Sequence, residues 1–167
     1  MLRFFAALLL TFCGGGVGLI QADKLRTDRD ISRQTSEMIR QFIFAIRGRS
    51  ADFYELIGIL RDSRRFPALS FVKELPEEFE PQVDIRESWR RAVLSQKNLN
   101  GDRREVLLAV GDSIGTADTE GVLASLEALA DRSKVLEKSD QERLEKSGKL
   151  YRSLGFLFGA MAAILVI

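Results

Sequence analysis

Every acidic residue of this chain lies between Asp23 and Glu145, and the end stretches Met1 to Ala22 and Ser153 to Ile167 contain no charge except Arg3. Leu2 to Ile20 carries only Arg3 and Thr11 as polar interruptions, close to the ~20 residues a helix needs to cross the hydrocarbon layer. At the other end Leu154 to Ile167 is apolar throughout, and counting from Tyr151 brings the run to the lower edge of a spanning length. Tyr151 and Arg152 suit an interface, the ring by its amphipathic character and the arginine by snorkelling. The expected division is therefore a membrane helix over 1–22, a helical middle over 23–150 and a second membrane helix over 151–167.

Basic residues flank the middle on both sides, Lys24, Arg26, Arg29 and Arg33 after the first run and Lys146, Lys149 and Arg152 before the second. The positive-inside rule then puts the middle in the cytosol. A cleaved leader would also begin with an early arginine and an apolar stretch. However, Gly18, Leu19, Ile20, Gln21 and Ala22 offer no clean small-x-small cleavage site, and bulky Phe12 before Cys13 spoils a lipobox. Each apolar end carries a glycine pair four apart, Gly14 with Gly18 and Gly155 with Gly159, the spacing that lets helix backbones approach closely in lipid.

Within the middle, Ile31, Met38, Ile39, Phe42, Ile43 and Ile46 recur at helical spacing. Gly48 interrupts them, Ser50 is a candidate cap, and Phe53, Leu56, Ile57 and Leu60 form a second stripe, so a helical hairpin is expected. Asp84 with Glu87 and Asp102 with Glu105 have the spacing of capping boxes and open two further helices, the second carrying Val106, Leu107, Val110 and Ile114. Gly115 to Asp118 reads as a turn, with Asp118 capping a last helix marked by Val122, Leu126, Leu129 and Leu136. Nothing after Thr119 is a strong breaker. An unbroken helix from there to Ile167 is roughly 70 Å long at ~1.5 Å per residue. The only weak strand candidates are short runs such as Phe71 to Leu75, and the expected class is all-α, an antiparallel bundle between two membrane helices.

The chemistry-bearing residues are few. Histidine is absent and Cys13 is the one cysteine, which removes the commonest general base and any thiolate metal set within one chain. Glu77 and Glu78 form an acidic turn, while Asp140, Glu142 and Glu145 alternate with Arg143 and Lys146 as on a solvated helix face. The run Gly111-Asp112-Ser113-Ile114-Gly115 lacks the lysine of a phosphate loop and follows a helix, not a strand. Arg61, Arg64, Arg65, Arg90 and Arg91 could meet lipid phosphates or an acidic surface, without the interleaved aromatics of a nucleic-acid site. With 25 basic against 24 acidic residues, the total charge does not point to nucleic acid either. No enzyme, cofactor, metal or small-molecule substrate is expected.

The C-terminal half carries Gly111-Asp-Ser-Ile-Gly115, Asp118, Leu123 and Leu126, then Gly148-Lys-Leu-Tyr-Arg-Ser-Leu-Gly155-Phe-Leu-Phe-Gly159. This order resembles the stage III sporulation AB family, with its Gly-x-x-Leu-Gly-x-x-Asp turn, long charged helix and Tyr-x-x-Leu-Gly-Phe signature before a terminal span. The match extends to Trp89 with Ala92, to Ile46-Arg-Gly48 and to the N-terminal anchor. Ile114 stands where the family has leucine, Phe42 to Ile46 is more apolar than usual, and Pro76 to Pro81 is an altered loop.

The resemblance implies similarity to the inner-membrane platform protein of type II secretion and type IV pilus systems. It further implies a structural part in the channel between mother cell and forespore, in the mother-cell membrane. The expected partners are other stage III sporulation channel proteins, including the cytosolic ATPase, and membrane lipid. The residues expected to make protein contacts are Gly111, Gly115, Asp118, Tyr151, Leu154, Gly155 and Gly159, with Gly14 and Gly18. Two other readings stand beside it: a secreted or periplasmic helical enzyme or binding domain with a cleaved leader, and a membrane-bound signalling adaptor without a channel.

Overall fold

Apolar residues spaced three and four apart can bury a common face only as helices, and the computed structural model of the chain is helical accordingly. It describes residues 19–49, 51–61, 65–76, 84–114, 118–151, 153, 154, 157 and 161 in full, and residue 62 only as part of its helix. Residues 2–18 and the remaining positions of 152–166 are described only as parts of the helices that contain them. The helices are α1 (Leu2–Arg49), α2 (Phe53–Asp62), α3 (Ile85–Ser95), α4 (Gly101–Ile114) and α5 (Thr119–Val166), with one 3₁₀ turn over Ser70–Glu74. No strand occurs among the described residues. The all-α expectation holds, as does the single last helix that starts at Thr119.

The chain divides into two compact units, one of 30–138 and one of 1–29 with 139–167. The first holds the hydrophobic core, to which every helix contributes. Met38, Ile39 and Phe42 of α1, Leu56, Ile57 and Leu60 of α2, Trp89 and Val93 of α3, Val106, Leu107 and Val110 of α4, and Leu126 of α5 are all buried. These are the stripes expected from the spacing. Pairs across neighbouring helices fix their senses. Ser36 Oγ lies 2.9 Å from Ser133 Oγ and Arg47 pairs with Glu127, so α1 and α5 run antiparallel. Arg132 reaches Glu105 at 2.6 Å and Ser113 Oγ meets Ser125 Oγ at 2.8 Å, so α4 and α5 do too.

Three local expectations are corrected. The cap of α2 is not Ser50, which lies outside the described residues, but Asp52. Asp52 Oδ1 accepts from Glu55 N at 2.9 Å while Glu55 Oε2 accepts from Asp52 N at 3.3 Å, a reciprocal capping box. Asp102 caps nothing, because α4 already starts at Gly101, with Arg104 N donating to the Asn100 carbonyl. Asp102 sits instead in the first turn, where a carboxylate favours the helix dipole, and Glu105 turns to Arg132. Phe71 to Leu75 is not a strand. No neighbouring strand offers it a ladder, and Val72 N to Leu69 O and Leu75 N to Val72 O close successive turns over the core.

That turn is held by two buried glutamines, Gln34 of α1 and Gln96, the residue that ends α3. Gln34 Oε1 accepts from Ala68 N at 2.8 Å. Gln96 Nε2 donates to the Ala68 carbonyl at 2.9 Å and Gln96 Oε1 accepts from Phe71 N at 3.2 Å. Buried main-chain groups need partners when no helix or sheet supplies them, and these side chains supply them here. Arg61 of α2 likewise donates to the Leu75 carbonyl.

In the second unit, Arg29 Nε donates to Gln141 Oε1 at 2.9 Å and Gln141 Nε2 to Glu145 Oε1 at 2.6 Å. Lys146 and Glu142 face one another at 3.6 Å, largely exposed. Among the described residues no helix is long and apolar enough to cross a membrane. The expected spans over 1–22 and 151–167 fall mostly outside those residues.

Candidate functional site

The junction of α4 and α5 gathers the residues that the Gly111-to-Asp118 motif singles out. Gly111 is buried on α4 because Trp89 of α3 lies against it. A Cβ built on Gly111 would stand 2.2 Å from Trp89 Cδ1 and 2.6 Å from Cγ, so no larger residue fits without moving the indole. The indole itself is fixed from several sides. Its Nε1 donates to the Leu107 carbonyl at 2.7 Å, and its ring meets Phe71 at 5.1 Å, Phe53 at 6.1 Å and Phe42 at 6.4 Å between centroids. Those are tilted or edge-to-face arrangements, which aromatic pairs favour. Gly111 is therefore a packing residue that lets α4 approach α3.

Asp118 is the N-cap of α5. Its Oδ1 accepts from Glu120 N at 3.2 Å and its Oδ2 from Gly121 N at 3.1 Å, satisfying two of the donors that a helix start leaves open. Gly121 keeps room for that carboxylate, since a Cβ there would lie 2.5 Å from Oδ2. Ser113 Oγ closes the end of α4 with a 2.7 Å contact to the Ala109 carbonyl. The motif is thus a device for turning one helix into the next.

Two cavities flank this junction. One, about 270 Å³, is lined by buried Ile46, Ala51, Phe53, Leu56 and Val122, half-buried Ile114, and exposed Asp52 and Thr119, and its exposed surface is mixed in character. The other, about 520 Å³, is lined by Ala109, Asp112, Ser113, Asp118, Gly121 and Ser125. They are adjacent, because consecutive residues 113 and 114, 118 and 119, and 121 and 122 line one and the other. Sequence spacing hides them: the first joins the α1–α2 connection to the α4–α5 connection, far apart along the chain.

Of the other expected contact residues, Tyr151 and Leu154 are described and exposed, at 38% and 37%. Gly115 lies outside the described residues, as do the glycine pairs Gly14 with Gly18 and Gly155 with Gly159 beyond their helical course. Large apolar side chains stand exposed throughout the described part of this unit: Leu19 and Ile20 on α1, and Leu150, Tyr151, Leu154, Leu157 and Met161 on α5. Among the described residues of the core unit, Phe44, Leu94 and Val135 do so. Of the basic residues, Arg91 pairs with Glu87 along α3 at 3.7 Å and Arg61 is committed to the Leu75 carbonyl. Arg64 is outside the described residues.

The described residues thus form an all-helical arrangement in which Gly111 seats Trp89 and Asp118 caps α5. The family model of stage III sporulation protein AB matches residues 3–167, and the chain belongs to that family, whose description gives it a role in sporulation. No curated protein and no solved structure was found to match it.

Proposed function

We propose that this protein is a non-catalytic, membrane-anchored component of a secretion-like sporulation channel between mother cell and forespore. In this reading residues 1–22 and 151–167 are membrane helices, and the bundle of 23–150 lies in the mother-cell cytosol, where it meets the channel's ATPase. The observation that carries it is the run of exposed apolar side chains on α1 and α5. Leu150, Leu154, Leu157 and Met161 recur at spacings of four, three and four, one continuous face of α5. A contiguous apolar face marks an interaction surface or a lipid contact, and the basic residues Lys146 and Lys149 that precede it suit the cytosolic edge of a bilayer.

Force or conformational change in such an assembly must pass through contacts and not through chemistry. The helix α5, which forms a wall of the core and also carries the apolar face, is the element suited to that task. Alkaline carbonate extraction of membranes from sporulating cells tests the anchor, with the full-length chain expected in the pellet. Crosslinking in the same cells tests the assembly, and recovery of the ATPase with other channel proteins is the expected result. A soluble chain shortened at its N-terminus would favour the leader-bearing secreted alternative instead.

A further inference from the structure

We propose that the outward face of α1 over Arg33 to Arg47 docks an acidic, amphipathic helix of a partner protein. Arg33, Glu37, Arg40, Phe44 and Arg47 recur at spacings of four, three, four and three, which places them on one side of the helix. The opposite side, with Ile31, Met38, Phe42 and Ala45, is buried in the core. Arg33, Arg40 and Arg47 are exposed, and Phe44 is the most exposed large apolar side chain among the described residues, at 77%.

A single exposed apolar residue needs no explanation, but the residues around this one do. From Arg33 to Arg49 the sequence holds four arginines, no lysine and one acid, Glu37. A face that merely meets water has no need of arginine over lysine, whereas arginine beside an aromatic is the composition of interface centres. Arg47 is already met by Glu127 of α5. The side chains of Arg33 and Arg40 form no hydrogen bond or ion pair among the described residues, although half-buried Glu37 stands one turn from each. Their guanidinium forks are therefore open to carboxylates, which they take bidentately. The spacing gives the occupant its form. Arg33 and Arg40 are seven residues apart, two turns or roughly 10 Å along the helix, a repeat that a second helix lying beside α1 matches with carboxylates seven residues apart. An apolar side chain one turn beyond the second carboxylate then covers Phe44, and a basic helix is repelled.

This inference rests on the reading of the chain as an assembly component, yet the two fail separately, since extraction reads the anchor and peptide binding reads the face of α1. The test uses the full chain in nanodiscs of phosphatidylcholine and a fluorescent 21-residue helical peptide with glutamate at every seventh residue and leucine four residues after each, with empty nanodiscs as the baseline. Saturable binding above that baseline is expected, weakening with salt. It should fall at least tenfold in Arg33→Glu/Arg40→Glu and at least fivefold in Phe44→Ala, with Trp89 fluorescence unchanged because all three positions are exposed. Arg33→Lys/Arg40→Lys keeps the charge and loses the forks, and should weaken binding at least threefold. A peptide of the same composition with its glutamates every fifth residue should bind at least tenfold more weakly. Binding absent in the native chain, or unchanged in any of these comparisons, overturns the proposal. So does loss of self-association in Phe44→Ala with peptide binding retained, which would give the face to a second copy of this chain. Loss of affinity for phosphatidylglycerol vesicles in Arg33→Glu/Arg40→Glu with peptide binding retained would give it to lipid, and overturns the proposal equally.

Discussion

Gly111 and Trp89 share one space: the position a Cβ would take on Gly111 lies 2.2 Å from Trp89 Cδ1, inside the contact distance of any two carbons. Gly111→Ala should therefore destabilise the fold by about 1–3 kcal/mol, the usual cost of overpacking a tight core. Trp89 is the only tryptophan, so its fluorescence in urea titrations of the detergent-solubilised chain reports the change directly. In a Trp89→Leu background the alanine meets no ring, and its cost, followed by circular dichroism, should drop below half. Additive costs would mean that Gly111 answers to something other than the indole.

Asp118 holds the start of α5 through two main-chain donors. Asp118→Ala should cost about 1 kcal/mol and Asp118→Asn much less, since asparagine caps as well as aspartate. The same pair separates packing from partner contact. If the family motif serves the turn alone, complex assembly in sporulating cells should follow stability across the two variants, and Asp118→Asn should assemble normally.

Gln96 serves both the Ala68 carbonyl and the Phe71 amide. Gln96→Leu keeps the volume and strands two buried main-chain groups, a loss of about 1–3 kcal/mol for each one left unsatisfied. Hydrogen exchange should accelerate at the Phe71 amide more than at amides of α4. Equal acceleration across the core unit would show that the glutamine supports the whole bundle instead of the 3₁₀ turn.

Much of this was legible beforehand because helices write themselves as spacing. The stripes at Ile31 to Ile46, Phe53 to Leu60 and Val106 to Val110 are buried as expected, and Asp84 and Asp118 cap α3 and α5 through their own side chains. The α2 cap was misplaced because Ser50 and Asp52 both suit the role, and only Asp52 has a glutamate three residues on to return the bond. Phe71 to Leu75 misled because a short apolar run has no period of its own and takes its form from what surrounds it. Gln34, Gln96 and the cavity left no mark, since each depends on residues that meet only after the helices pack. The packing of Gly111 on Trp89 left no mark either, since the two residues lie on different helices.

A proline in α5 probes the link between the bundle and the proposed anchor. Glu137→Pro removes a main-chain donor and clashes with the preceding turn, at about 3 kcal/mol or more. Sporulation should fail although the chain still reaches the membrane fraction. Normal sporulation and complex assembly would show that α5 transmits nothing.

The proposal of a membrane-held cytosolic bundle is tested most directly by cysteine accessibility. With Cys13→Ser as the background, Lys97→Cys places one thiol on an exposed position after α3. In intact protoplasts a membrane-impermeant maleimide should leave it unlabelled, and permeabilisation should expose it fully while the chain stays in the carbonate-resistant pellet. Labelling of that thiol in intact protoplasts, or its recovery in the soluble fraction, would contradict the account.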